Sequence, residues 1–314
     1  MSPNVVDVTP GARRPLGSTG LLVSPLCVGG AEFGSVPVLG YAVPEERALA
    51  TLRAVFDSPI NFLDTGASYG QGESERRIGI ALRELGGLPP GFVLATKADR
   101  DPHTGDFSAD QVHRSVERSL RLLGRERLQI VYLHDPEYAT QSFEEMVGPG
   151  GAVEALLQLQ SEGIIDHVGI ASGPTDLIIR YIETDMFEVA LTHNRYTLLD
   201  RSAEPLFEVA QRHRVAVVNA APYGGGLLVK GPRAVPRYMY RPASPDVLGQ
   251  VERMAAVCDR YGVPLATAAL QFSLRDPRIT STIVGFSHPE RVAQTIALAT
   301  TDIPDGLWQD LDTA

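Results

Sequence analysis

The chain has 314 residues, 44% of them hydrophobic, and a formal net charge of −10. That length and apolar share support a large core and exclude a chain disordered throughout. An acidic surface repels phosphate backbones, so nucleic-acid binding is disfavoured, although a local basic pocket could still take a nucleotide.

The opening "MSPNVVDVTPGARRP" has no apolar centre. Residues 1–12 therefore read as a flexible tail and not as a signal peptide. "RPLGSTGLLVS" (14–24) reads as two short strands around a Ser-Thr-Gly turn, an N-terminal hairpin. A repeating pattern of strand then helix follows. "PLCVGGA" (25–31) precedes "PEERALATLRAVFDS", and "INFLDTG" (60–66) precedes "ESERRIGIALRELG". "FVLATKA" (92–98) precedes "SADQVHRSVERSLRLLG", and "LQIVYLHD" (128–135) precedes "GAVEALLQLQSEG". "HVGIAS" (167–172) and "FEVALTHN" (187–194) each lead into a helical pattern. "VAVVNAAP" (215–222) is followed by a long loop and two helices, and "STIVGFS" (281–287) by "PERVAQTIALA".

These are eight strand–helix units. Their apolar runs are short and lack clean alternation, as expected of parallel strands covered by helices. Right-handed crossovers between such strands close into a (β/α)8 TIM barrel. The whole chain, 1–314, then reads as one barrel domain with the N-terminal hairpin and extra C-terminal helices. The rival is a doubly wound open sheet, but "VGGAEFG" (28–34) is a poor match to its phosphate loop. The Gly- and Pro-rich stretch 224–245 follows the seventh strand, on the face where barrels keep their sites, and loops of that length are usually functional or disordered. Cys27 and Cys258 sit in apolar contexts without metal or redox spacing, so both are expected as buried free thiols. No run is long enough to span a bilayer and no metal cluster is evident; the expectation is a cytoplasmic protein.

Barrel sites are assembled from the C-terminal ends of strands. There the second strand places Asp64 with Tyr69 just beyond, the third Lys97, and the fourth His134 and Asp135. Each has an ordinary reading alone. Asp64 could be a cap or ion pair, Tyr69 a packed aromatic, Lys97 a Schiff-base or phosphate lysine, and His134 a structural histidine. Together they suit proton exchange at a carbonyl or alcohol oxygen. A free phenol has a pKa of about 10, and lowering it by roughly three units takes about 4 kcal/mol. A close ammonium, held charged by Asp64, is expected to supply that, with His134 donating to the substrate oxygen.

"NFLDTGASYGQGESERRIG", "LATKAD" and "VYLHDPE" resemble the three motifs of the aldo-keto reductases, and the resemblance runs from about residue 13 to about 311. It implies NADP or NAD extended over the strand ends. It also implies Tyr69 as the proton-transfer residue, with Asp64, Lys97 and His134 as its partners. "IVGFSHPERVAQT" (283–295) is similar to the family segment that grips the adenosine phosphate. This implies contacts from Gly285, Phe286, Ser287, Arg291, Gln294 and Thr295. Gly285 stands where NADP-specific members often have lysine, and Gln294 and Thr295 replace a frequent Glu-Asn pair. Near the nicotinamide the resemblance implies Ser172, His193, Ala220, Pro222, Tyr223 and Gly224. Gly173 replaces the usual asparagine, His193 a glutamine, and Ala220 an aromatic for which Tyr223 could compensate. "LHDPE", "ASGPTDLIIRYIE" and "THNRYTLLDRSAEPLF" look most like the aldose 1-dehydrogenases of L-fucose, D-threo-aldose and L-galactose, with pyridoxal 4-dehydrogenase a near relative.

The resemblance thus implies oxidation of the anomeric carbon of a free aldose to a lactone. The alternatives are a broad NADPH-dependent aldehyde or ketone reductase, a pyridoxal 4-dehydrogenase, a lyase using Lys97 as a Schiff base, and a non-enzymatic regulatory subunit. The expected partner is a small sugar or carbonyl substrate, with neither nucleic acid nor membrane. Trp308, Tyr238 and Tyr240 are candidate substrate contacts.

Overall fold

The computed structural model describes Thr9, residues 11–35 and residues 40–314. Most of the expected tail over 1–12 lies outside the described residues. Eight parallel strands close into a barrel: β1 (Leu26–Gly29), β2 (Phe62–Asp64), β3 (Val93–Ala98), β4 (Leu128–His134), β5 (Ile165–Ser172), β6 (Val189–His193), β7 (Ala216–Ala220) and β8 (Ser281–Gly285). The order runs β8-β1-β2-β3-β4-β5-β6-β7. All eight expected strands are present.

Successive strand residues point alternately into the barrel and out toward the helices, yet both sets are apolar because both faces are covered. Phe62, Val93, Ala95, Ile130, Tyr132, Val189 and Val218 share one cluster, and Leu63, Leu94, Val131, Leu133 and Val217 another. That is why the strands show no clean alternation in sequence. The N-terminal hairpin pairs Arg14–Pro15 with Leu22–Val23. Its Leu16 and Val23 join the inner cluster, and Gly17 (φ 58°) lies so close to β7 that a Cβ would meet the Ala216 nitrogen at 3.1 Å.

The helices carry local start and stop signals. In the helix Ala109–Leu123, Ser108 accepts from the Gln111 backbone N–H at the front, and Gly124 (φ 65°) closes the end. Between β7 and β8 lie Pro245–Arg260 and Leu265–Leu274, and the chain ends in Asp305–Asp312. These extra helices share a separate apolar cluster that includes Leu228, Val251, Met254, Leu307 and Leu311. Among the described residues no helix is long and apolar enough to cross a membrane.

The stretch 224–245 is more ordered than its composition suggests. It forms a tight 3₁₀ turn at Gly224–Gly226, a helical turn at Leu227–Lys230, and a small hairpin pairing Arg237–Tyr238 with Arg241–Pro242.

Strand register sets the site. Gly285 pairs with Gly29, Gly29 with Asp64, Lys97 with Tyr132, His134 with Ala171, Ser172 with Thr192, and His193 with Ala220. The polar strand ends therefore meet at one rim.

Candidate active site

Asp64 ends β2 and Lys97 sits one residue before the end of β3; both side chains are almost wholly buried. The Lys97 Nζ donates to Asp64 Oδ1 and to the Thr65 carbonyl oxygen. Burial pulls the lysine toward losing its proton, but Asp64 and Tyr69 reverse this, so it is held charged above its usual range. Tyr69 follows β2 at the start of a 3₁₀ turn, with the Lys97 Nζ 4.6 Å from its ring centroid. Gly34 and Gly70 let the turns after β1 and β2 touch: a Cβ on Gly34 would lie 2.6 Å from the Tyr69 carbonyl oxygen.

His134 ends β4, edge-on to Tyr69 with ring centroids 5.8 Å apart. The structure adds a residue that the motif reading quoted but did not single out, Asp99. Its Oδ1 lies 2.6 Å from His134 Nδ1, and its Oδ2 accepts from the Ser68 backbone N–H at 2.7 Å. The only sequence signal was an acid directly after "TKA". Burial pulls the imidazole pKa down, but Asp99 and Asp135 outweigh it and hold it above the usual value. His134 is thereby favoured as a donor through Nε2, which faces Asp135 at 3.7 Å.

The expected lowering of the Tyr69 pKa does not occur. Burial pushes the phenol well above its ordinary value, Lys97 pulls it back only in part, and Asp64 opposes that pull. Burial decides the sign: the Lys97 charge and its hydrogen bond to the phenol lower the pKa by less than burial raises it. Tyr69 is therefore a neutral phenol here, suited to donating a proton.

These groups open into a cleft of ≈ 990 Å³. Of the residues implied as cofactor contacts, Ser172, His193, Ala220, Pro222, Tyr223, Gly285, Ser287 and Arg291 line it. Gly224, Phe286, Gln294 and Thr295 do not. Gly224 lies against the Tyr238 ring, and Phe286 is fully buried in the main core. Gln294 is exposed and accepts from Arg291 at 3.1 Å, whereas Thr295 is buried. Tyr240 also lines the cleft, Tyr238 is tied to Thr197 Oγ1 at 3.1 Å, and Trp308 lines a separate cleft of ≈ 310 Å³.

Gly173, in place of the family's usual asparagine, lies against His193 and beside the carboxylate of Glu137. That group accepts from Ser172 Oγ at 2.9 Å and from the Gly173 N–H at 3.3 Å. Burial holds the His193 pKa below its usual value, and Asn194 Nδ2 donates to its Nδ1 at 3.1 Å. Its ring proton then sits on Nε2.

The far end of the cleft is basic although the chain is acidic. Arg47, Lys230, Arg237 and Arg291 line it, and Arg47 meets His288 at 3.2 Å. Gly225 and Gly226, where a Cβ would meet nothing closer than 3.8 Å, let a ligand approach the backbone there. Sequence reading missed Arg47, Lys230 and Arg237 because nothing in their spacing marks them; the folded loops bring them together. A long ligand with a polar ring at one end and phosphates at the other fits these residues. Among the described residues no group of three or more His, Cys, Asp or Glu could hold a metal ion.

The profile of the aldo/keto reductase family matches residues 25–314. The D-threo-aldose 1-dehydrogenase of a Pseudomonas species is 30% identical, over 94% of this chain and 94% of its own. The pyridoxal 4-dehydrogenase of Microbacterium luteolum is also 30% identical, over 95% of this chain and 96% of its own. The L-galactose dehydrogenase of Arabidopsis thaliana is 32% identical, over 91% and 88%. Among solved structures, the holo form of the aldo-keto reductase AKR11C1 from Bacillus halodurans superposes with a TM-score of 0.77 at 26% identity, covering 96% of this chain and 95% of that one.

Proposed function

Because the chain belongs to the aldo/keto reductase family, oxidoreductases that act on CH–OH or carbonyl groups with a nicotinamide cofactor, we propose that it oxidises the anomeric carbon of a free aldose to the lactone. The observation that carries this reading is the cluster of Asp64, Tyr69, Lys97 and His134 at one end of a cleft whose other end is basic. Relatives named as acting on D-threo-aldose and L-galactose support the substrate class. So does Asp135, a polar group that lines the cleft beside His134 and suits a sugar hydroxyl.

Ser172, His193 and Tyr223 would hold the nicotinamide end of the cofactor, and Arg47, Lys230 and Arg291 its phosphates. When bound, the cofactor would supply the hydride acceptor, and oxidation would need Tyr69 in its ionised form. Tyr69 then takes the proton of the C1 hydroxyl, and His134 Nε2 orients that oxygen. Lys97 stabilises the phenolate as it forms, and Asp64 keeps the ammonium charged. A lysine so held is a poor Schiff-base nucleophile, which argues against a lyase.

The neutral phenol favours a second reading, reduction of aldehydes with Tyr69 as proton donor. The NADH-specific methylglyoxal reductase of Escherichia coli, 26% identical over 93% of this chain, points the same way. The test is a screen of free sugars, simple aldehydes and pyridoxal against NAD and NADP in both directions. Lactone formation from a sugar is the expected result; turnover of aldehydes alone would reject it. Tyr69→Phe should lose about 10³-fold in turnover, with cofactor binding by fluorescence unchanged. Near-normal turnover in that variant would remove Tyr69 from the mechanism.

A further inference from the structure

We propose that Glu32 makes the cleft select a dinucleotide without a 2′-phosphate, NAD over NADP. The inference rests on the nicotinamide reading above and assigns one residue to the choice between the two cofactors. Glu32 lies in the 3₁₀ turn Gly30–Gly34, directly after β1, and only 9% of it is exposed. It lines the cleft against Gly285 at the end of β8. A Cβ on Gly285 would lie 2.5 Å from Glu32 Oε1 and 2.8 Å from its Cγ. The carboxylate thus fills the space that any side chain at 285 would need.

Tyr41 donates its hydroxyl proton to Glu32 Oε2 and fixes the group in place. Burial raises the Glu32 pKa, the Tyr41 hydrogen bond and the Lys230 charge counter it, and Arg291 acts on Tyr41. The carboxylate therefore stands among the cations of the phosphate end. A diphosphate brings two negative charges to those cations, and a 2′-phosphate adds nearly two more. A carboxylate has no proton to give a phosphate and repels it, but it accepts from a ribose hydroxyl. It is a group that NAD can use and NADP cannot.

The test measures binding of NADH and NADPH by fluorescence to wild type and to Glu32→Gln, which keeps the size and removes the charge. Wild type should bind NADH at least tenfold more tightly. In Glu32→Gln, NADPH should gain about tenfold while NADH changes less than about threefold. Adenosine 2′,5′-bisphosphate should gain over AMP in the same variant, a readout independent of the nicotinamide end. Tyr41→Phe keeps the charge and should leave the NADPH to NADH ratio within about threefold of wild type. Unchanged NADPH affinity in Glu32→Gln, or equal loss of both cofactors in the two variants, would overturn the proposal and leave Glu32 as an anchor for Tyr41. If wild type binds neither nucleotide, the cofactor reading itself fails.

Discussion

A histidine flanked by two carboxylates keeps its second proton to higher pH than a free imidazole. His134 is in that position: Asp99 and Asp135 hold its pKa up against burial. Asp99 shifts the other way, because the pull of His134 and the Ser68 bonds outweighs its burial. The signs fix a window for the pair. The stability tied to His134 is complete below about pH 6.5, its unfolded value, and is lost as pH rises through the raised folded value. That tied to Asp99 is present above about pH 3.9 and is lost as pH falls through the depressed value. Asp99→Asn keeps an acceptor for the Ser68 N–H but removes the charge. The NMR titration midpoint of His134 should then fall by about one unit or more, and the alkaline limb of carbonyl reduction should move down with it. An unmoved midpoint would show that Asp99 only packs against the ring. None of this could be weighed from the sequence. The spacing brought Tyr69, Lys97 and His134 together, but how far burial outweighs an ammonium already bound to Asp64 depends on depth, which spacing does not report. Glu32 was hidden for a related reason: "VGGAEFG" reads only as a poor match to a phosphate loop, and folding alone sets its carboxylate against Gly285.

Tyr69 is positioned by the contact between the 3₁₀ turns after β1 and β2. Gly70 has φ 61°, and a Cβ there would run into the Gly34 carbonyl. Gly86 (φ 77°) also has left-handed backbone, but a Cβ there meets nothing within 4 Å. The pair separates backbone cost from lost contact. Gly86→Ala should cost about 1 kcal/mol in urea unfolding and leave turnover alone. Gly70→Ala should cost about 3 kcal/mol and lower kcat at least tenfold, because the turn carrying Tyr69 must move. Equal behaviour of the two variants would mean that the turn contact does not place Tyr69. The strands were legible because each is a short apolar run, as a covered barrel demands, and β2, β4, β5 and β6 end in a polar group. The hairpin at 237–242 was not. Its turn residues Met239 (φ 51°) and Tyr240 (φ 63°) hold left-handed backbone without glycine or asparagine, so no turn signal marks it. Tyr238 packs on Gly224 and holds the hairpin over the cleft, a tertiary contact that outweighs local preference.

At the scale of the whole molecule two electrostatic effects oppose each other. The chain carries −10, yet the phosphate end of the cleft presents Arg47, Lys230, Arg237 and Arg291. A chain of this length has a radius near 20 Å, by the usual size scaling. Ten unit charges at about that distance in water oppose an incoming anion by about 2 kcal/mol per unit charge before screening, and salt reduces this several-fold. One cation at about 4 Å near a protein surface attracts it by about 4 kcal/mol. The local term wins at equilibrium, so an acidic protein can still hold a dinucleotide. The cofactor Kd should therefore rise several-fold between about 0.05 and 0.5 M sodium chloride, because phosphate contacts weaken as the Debye length shrinks. The KM of an uncharged sugar should stay within about twofold over the same range, since its contacts carry no net charge. Titration of reduced cofactor by fluorescence at several salt concentrations measures the first quantity, and initial rates at saturating cofactor measure the second. A cofactor Kd that falls with salt would mean that the net charge governs binding and that the four cations do not hold the phosphates.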